Sequence, residues 1–395
     1  MKKILVALLA LFVSAVSASA ATYTVPDDYA TIQAAVDAAS DGDSIFVKAG
    51  FYAGAVVNKA VEIYGEPGTV VNVRGTVVSS KGVGFYITHD DVSISDLKIT
   101  GTGSPAIENA IQLESGHSGV TIDNIVFEDL AFYGVYGYDQ TNLYVGHCTF
   151  ANTGAVDDGG AIRIKNADNS VFEWNVAYGG ARGIRLDKSA LGTSDNNVVR
   201  YNVIHDMDQY GVGIYPGGSN NIVEFNRFYN LPDRGIQLGY YAGPNYNNII
   251  RYNEVFNTHI DGIVLTNCNG GCIIEYNKVY NTAFDENTNS PSWTQPLHGG
   301  IAVWTANQDV IVRNNIVYDN GDGIEGNDGN CGIWVDASST GTEIYGNSVW
   351  GHIQNYCDND DSEFGEPGDI PEFTGAGAAL ALLGAGLLAL KKRKA

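Results

Sequence analysis

Basic side chains are scarce: 22 Lys and Arg stand against 45 Asp and Glu in 395 residues, a formal charge of −23 at neutral pH. A surface so negative repels phosphate backbones and anionic lipid, which excludes nucleic acid as a partner class and suits calcium or a saline medium. Cysteine contributes five residues, at 148, 268, 272, 331 and 357, and none of their spacings resembles a zinc site. Cys268 and Cys272 bracket a Gly-rich turn and are placed to close a small loop, while Cys331 and Cys357 are placed to pin the last coils. The odd count leaves one thiol over, expected to be Cys148 as a small packed residue. Asn is abundant, yet no Asn-x-Ser/Thr acceptor occurs, so N-linked glycans are not expected on the faces. No complete catalytic signature is present either.

Long apolar runs occur only at the two ends. Lys2 and Lys3, an apolar stretch from Ile4 to Val13 and small residues up to Ala20 have the layout of a secretory signal, so residues 1–20 are set aside from the fold. The last segment, 371–395, holds Pro371-Glu372-Phe373, a Gly- and Ala-rich apolar run from Gly375 to Leu390, and Lys391, Lys392, Arg393 and Lys394. That order resembles the Pro-Glu-Phe C-terminal sorting signals of archaeal surface proteins. A single membrane anchor is the simpler alternative, although the run falls short of the roughly 20 apolar residues that a span needs. Either reading makes the protein extracellular, held at the cell surface, with membrane contact only through this segment. Residues 357–370 then form an acidic linker. Without the two ends, 16 basic side chains remain against 44 acidic ones.

Between the ends the chain repeats itself. Nearly the same sentence occurs at Asn220–Leu238 and at Asn247–Leu265, and aligning on its Asn gives Asn124, His147, Asn175, Asn202, Asn226, Asn253, Asn277, Asn315 and Asn347. Three residues after each anchor comes a ring: Phe127, Phe150, Tyr178, His205, Tyr229, Phe256, Tyr280, Tyr318 and Trp350. Two residues before it, Glu173, Arg200, Glu224, Arg251, Glu275 and Arg313 alternate in sign. Short β-branched runs punctuated by Gly, Asn and Asp are strands and turns. A unit this short cannot bury its own apolar face, but stacked copies can. Stacking sets equivalent positions about 4.8 Å apart, where opposite charges help and like charges hurt. The alternating column therefore belongs on adjacent rungs, and the ring column is expected to be structural stacking, not a sugar platform.

These features resemble the right-handed parallel β-helix proteins of the pectin-lyase-like superfamily over roughly residues 23–356. The resemblance implies an all-β fold, a single-stranded solenoid of about 10 coils across residues 21–356. It also implies an N-terminal capping helix, which fits the apolar stripe Ile32, Ala35, Val36 and Ala39, with Asp27 and Asp28 before it and Gly42 beyond.

Chemistry is sought in what the repeat does not require. The outward residue after the aliphatic of the second strand reads Gln112, Arg163, Arg185, Tyr215, Gln237, Val264, Ala302 and Trp334. Arg163 and Arg185 lie one coil apart and should repel unless an anion sits between them. Lys165, Arg182 and Lys188 join them, so five of the 16 remaining basic residues fall within 26 positions. With Tyr136, Tyr138, Tyr215, Tyr240 and Tyr241 nearby, the island is suited to a polyuronate: cations for carboxylates and rings for sugar faces. Gln237 and Trp293, the latter in the long insertion 282–298, extend the candidate binding set. The alternative is that Asp157, Asp158 and Asp187 neutralise the cluster as ordinary ion pairs.

Uronate lyase chemistry needs a base beside the carboxyl-bearing carbon and a cation on the carboxylate. Superfamily lyases use Arg or Lys as base, often with calcium, so Lys165 or Arg185 is the candidate base and Arg163 the carboxylate clamp. Asp157, Asp158 and Asp187 are the candidate calcium ligands. A glycoside hydrolase would use paired carboxylates among Asp206, Asp208, Asp233, Asp261 and Asp322. The remaining alternative is a non-catalytic adhesin or envelope component.

Overall fold

A computed structural model describes residues 19–78, 81–101, 108–155, 158–187, 192–215, 218–239, 243–283, 299–305, 307–321, 331–358 and 363–364. The signal-like segment up to residue 18 and everything from residue 365 onward lie outside them, as do Asp157, Lys188, Tyr240, Tyr241, Trp293, His298 and Asp322. Among the described residues no helix is long and apolar enough to cross a membrane.

The chain winds through three parallel sheets of 14, 12 and 13 strands. The nine aligned repeats make the middle and later rungs, and the segment from Thr22 to Thr100 adds the earlier ones. Each strand pairs with its equivalent one coil away, so every residue faces its own counterpart. On the first sheet Ile94, Ile122, Val145, Phe172, Val199, Val223, Ile250, Ile274, Val312 and Ile344 form one inward file. All of them are buried, and comparable files from the other two sheets meet them in one continuous core. The corners are set by Asn and Asp in the left-handed region, among them Asn142, Asn169, Asn196, Asn220 and Asn247 at φ 51–57°. These residue types tolerate that conformation because their short polar side chains bond locally.

The charge column is as expected. Glu173, Arg200, Glu224, Arg251, Glu275 and Arg313 occupy successive rungs of the first sheet, with Arg200–Glu173 at 2.5 Å and Arg251–Glu224 and Arg313–Glu275 at 2.7 Å. The Asn column is a buried ladder from Asn175 to Asn347. Asn253, for example, accepts on Oδ1 from the Asn226 backbone N–H and from Asn226 Nδ2, both at 3.0 Å, and donates to Asn277 Oδ1 at 3.0 Å.

Two anchors need correction. Asn124 and His147 sit one residue early, at the left-handed corner, and the ladder position of the His147 coil belongs to Cys148, whose backbone N–H donates to Asn175 Oδ1. Phe127 and Phe150 consequently face the core, stacked at 4.5 Å, and are not part of the outer ring column. That column starts at Tyr178 and runs through His205, Tyr229, Phe256, Tyr280 and Tyr318 to Trp350, with neighbours 4.7–5.5 Å apart and within 14° of parallel. Face-to-face stacking consumes the ring faces that a sugar would need, so this ladder is structural.

The cap is the helix Ile32–Ala38, which buries Ile32, Ala35 and Val36 against the first coils. Its start is fixed by Thr31, whose hydroxyl accepts from the Ala34 N–H, and not by Asp27 or Asp28. Both expected disulfides form, Cys268–Cys272 and Cys331–Cys357, and Cys148 is free and buried.

Candidate functional site

The third sheet carries the cationic island on its outer face. Its register runs Tyr86, Gln112, Tyr136, Arg163, Arg185, Gly213, Gln237, Val264, Ala302, Trp334. Tyr136 therefore belongs to the column itself. Tyr215 does not: it stands two residues further on and folds back over Gly213, where a Cβ would lie 2.3 Å from its ring. Glycine is required there to let the ring lie flat. From that position Tyr215 donates its hydroxyl to Gln237 Oε1 at 3.0 Å and lies under the Arg185 guanidinium, 5.7 Å from the ring centre.

The repulsion between stacked arginines is relieved by carboxylates. Asp187 bridges them, taking Arg163 Nε on Oδ2 at 2.7 Å and Arg185 Nε on Oδ1 at 2.5 Å. Asp158 repeats the arrangement from the preceding turn, with Arg163 Nη1 at 2.7 Å, Arg182 Nη1 at 3.3 Å and Arg185 Nη1 at 3.4 Å. All four carboxylate oxygens thus face guanidinium groups. Asp158 and Asp187 were read from sequence, with Asp157, as calcium ligands; here the positive charge on them comes from arginine. Among the described residues no group of three or more His, Cys, Asp or Glu is placed to hold a metal.

Burial opposes the charge on Arg163, but Tyr133, Asp187 and Asp158 around it outweigh that and raise its pKa. Arg185 behaves alike: burial acts against its charge, and its surroundings, Tyr210 and Asp187 foremost, raise its pKa. Both therefore remain cations. Lys165 differs. It is half-buried, lies 5.1 Å from the Tyr138 ring centre and forms no ion pair with a described residue, although Asp187 is its neighbour on the next rung. Among the described residues, three guanidinium groups and one ammonium stand against two carboxylates in the cluster, on a strongly acidic molecule.

Aromatic hydroxyls line the same patch. Tyr136 and Tyr138 share a hydrogen bond of 2.5 Å, and burial, then this bond, raises the Tyr136 pKa. Burial likewise keeps Tyr133, Tyr210 and Tyr215 protonated. Tyr133 packs its ring 5.9 Å from Arg163 and sets its hydroxyl 3.4 Å from Nη1.

Tyr133, Arg182, Tyr210, Arg234 and Asp261 form a second file that the sequence reading did not recognise. Each precedes an outward residue by three positions, and their backbones bond coil to coil: Ala161 N–H to Arg182 O, Gly183 N–H to Tyr210 O, Gly211 N–H to Arg234 O. The signal in the sequence is a polar or aromatic residue three positions before the outward one. Of the hydrolase candidates, Asp322 lies outside the described residues, and Asp206 and Asp261 lie beside different sheets. Asp261 is fully buried, accepts from the Gly299 N–H at 2.9 Å and lies 3.7 Å from Arg234 Nε. Asp206 stands by the second sheet, held by His205 and Asn230.

A stacked three-sheet solenoid with an outer-face cluster defines the class, and comparison with known proteins agrees. The family model for the right-handed β-helix region matches residues 81–246 and 217–349, and the chain belongs to that family. Among solved structures it is similar to the A-module of the mannuronan C-5 epimerase AlgE4 of Azotobacter vinelandii, at 15% identity and TM-score 0.65, covering 88% of this chain and 100% of that one. It is also similar to PfbA, a surface adhesin of Streptococcus pneumoniae, at 13% identity and TM-score 0.56, covering 85% and 86%. A family 28 exopolygalacturonase of Yersinia enterocolitica follows at 11% identity and TM-score 0.51, covering 89% and 78%. At such identities the likeness establishes the fold. Curated protein sequences contain no match to this chain.

Proposed function

We propose that the outer face of the third sheet binds an acidic polysaccharide, a polyuronate, and acts on it by uronate proton abstraction of the lyase or epimerase kind. The observation that carries this is the convergence of Arg163, Arg182, Arg185 and Lys165 beside Tyr136 and Tyr138, cationic in a chain of net charge −23. Such a cluster suits carboxylates on a polymer that the rest of the surface repels. Structural neighbours include a protein named for mannuronan, which fits the same substrate class.

We assign Arg163 and Arg185, locked by Asp158 and Asp187 and held charged, as carboxylate clamps, which leaves Lys165 as the preferred base of the two candidates. A preorganised cation is strongest where charge develops, as on the carboxylate after proton loss. Lys165, untied and beside Tyr138, is the candidate proton carrier, and Tyr136 and Tyr138 are neutral hydroxyls within the same patch. Gln237 borders the site, while Lys188, Tyr240 and Trp293 stay in the proposal as binding residues on sequence grounds. The guanidinium network supplies the positive charge that calcium would otherwise bring, so we propose binding without added calcium. Export and attachment at a cell surface remain part of the proposal on the strength of the two terminal segments.

A second reading, a non-catalytic adhesin, has one observation in its favour: every oxygen of Asp158 and Asp187 is already paired, as in a neutralised structural cluster. The two separate on incubation with polymannuronate, polyguluronate and polygalacturonate, with and without calcium. Binding together with new unsaturated-sugar absorbance, or altered C-5 configuration by NMR, supports the enzyme. Binding alone supports the adhesin, and no binding to any of them sinks the polyuronate reading.

A further inference from the structure

The outer face of the first sheet carries a patch of a different kind. One outward column of that sheet reads Val171, Val198, Ile222, Ile249, Ile273 and Ile311 on six successive rungs. All six are half-buried at the surface, while the core is filled by the alternate residues of the same strands, from Phe172 to Val312. The fold does not ask for aliphatics there. In earlier coils the same column holds Glu62, Ser93 and Thr121, and the coil after Ile311 holds Glu343. Contiguous apolar surface of this sort marks a contact site.

The outward column beside it, two residues further along each strand, is the alternating file from Glu173 to Arg313, and it occupies the same six rungs. In the coils before, that position reads Ser95, Asp123 and Gly146, with no alternation. Three Glu and three Arg make the strip neutral in a chain of net charge −23, so here two such acidic molecules can approach each other. Ion pairs tie the file together within one chain, yet its Arg side chains keep 32–39% of their surface and can meet a further carboxylate.

We infer that this face is the contact between two copies of this chain, paired with their solenoid axes antiparallel. The charge file fixes the direction. In a closed pair with parallel axes each rung meets itself and Glu faces Glu, which destabilises. With a two-fold axis lying along the strands, between the rungs of Glu224 and Arg251, Glu173 meets Arg313 of the second copy, Arg200 meets its Glu275 and Glu224 meets its Arg251. The aliphatic file then meets itself, Ile222 against Ile249 of the second copy, an isologous contact. Five rung steps span about 24 Å and the strip is two columns wide, so the pair belongs to the small, reversible class of interfaces. The third sheet takes no part, and the inference stands whether or not that sheet binds a polyuronate.

Sedimentation equilibrium of the full chain tests this, with two charge reversals, Glu224→Arg and Arg251→Glu. The wild type should show a reversible monomer–dimer equilibrium. Each reversal alone sets like charges against each other at both central contacts and should weaken the dimer at least about tenfold. An equimolar mixture of the two sets Arg against Glu at both contacts, so association should return as a heterodimer. Either reversal also costs an ion pair within its own chain, which mixing cannot repair, so restoration separates contact from folding. Ile249→Thr, which breaks no ion pair and keeps a β-branched side chain, should weaken the dimer about tenfold as well. A wild type that stays monomeric across the micromolar range, a dimer that the reversals leave intact, or a mixture no more associated than its components overturns the inference.

Discussion

Asp187→Asn separates the two jobs of the arginine cluster. The Asp187 side chain is 7% exposed and bridges Arg163, itself 10% exposed, to Arg185, 23% exposed. An amide keeps the shape but offers one carbonyl oxygen, so its NH2 must face one of two guanidinium groups. Removing one partner of a buried ion pair costs about 3–5 kcal/mol. Asp158 keeps a contact to each arginine and Arg185 is partly solvated, so a loss of about 2–4 kcal/mol is expected, at the lower end of that range. In a solenoid each coil leans only on its neighbours, so the loss is local. The readout is amide exchange in the strands Gly160–Asp168 and Ile184–Asp187, which should quicken about 30- to 700-fold while the exchange of distant coils holds. Affinity for polymannuronate should rise at the same time, because the internal anion competing for the guanidinium groups is gone. Unchanged exchange in those strands would refute the claim that Asp187 holds the cluster together.

Two further perturbations probe the scaffold. Asn253→Leu strips the buried Asn226 N–H of its acceptor and takes a donor from Val223 O. It should cost about 2–5 kcal/mol in urea unfolding, against about 0–1 for Arg251→Ala on the solvated charge column; equal losses would contradict the ladder. His352, whose Nε2 lies 3.0 Å from Asn320 Nδ2, is held below its ordinary value of 6.5 chiefly by burial. The unfolded chain therefore takes up the proton first, and stability of the last coils is present at neutral pH and lost as pH falls through about 6.5 and below. Thermal unfolding from pH 7.5 to 5 should show this slope in the wild type and a flatter one in His352→Gln.

Much of this was legible in the residues themselves. Sign alternation from Glu173 to Arg313 fixed rung adjacency, because electrostatics between stacked side chains leaves a one-dimensional trace. The Asn ladder left a similar trace, since an amide can accept from the coil on one side and donate to the coil on the other. The slip at Asn124 and His147 arose because a polar corner residue and the ladder residue next to it look alike in sequence. In those coils the ladder position had passed to apolar or thiol side chains such as Cys148. Hidden altogether was a corner ladder of Trp174, Tyr201, Phe225, Tyr252 and Tyr276, stacked 4.4–5.2 Å apart at φ 54–57°. Aromatic residues do not prefer that backbone region; stacking between coils holds them there, and no local rule announces it. Within the site, the Arg163–Arg185 pairing was visible as a register, whereas the bridging by Asp187 depended on side-chain direction. Tyr215 was misplaced because Gly213, not a larger residue, occupies its column.

Lys165 is the sharpest probe of the central claim, being the cation of the cluster with no carboxylate partner among the described residues. Its reversal to Glu breaks no ion pair among the described residues but sets a carboxylate beside Asp187 on the next rung, so the melting temperature should fall only slightly, by the equivalent of about 0.2–1 kcal/mol. Equilibrium binding of wild type and Lys165→Glu to polymannuronate at low salt is therefore the decisive measurement. A polyuronate site on this face requires at least a tenfold loss, about 1.4 kcal/mol, whereas equal affinity in the two proteins would place binding elsewhere.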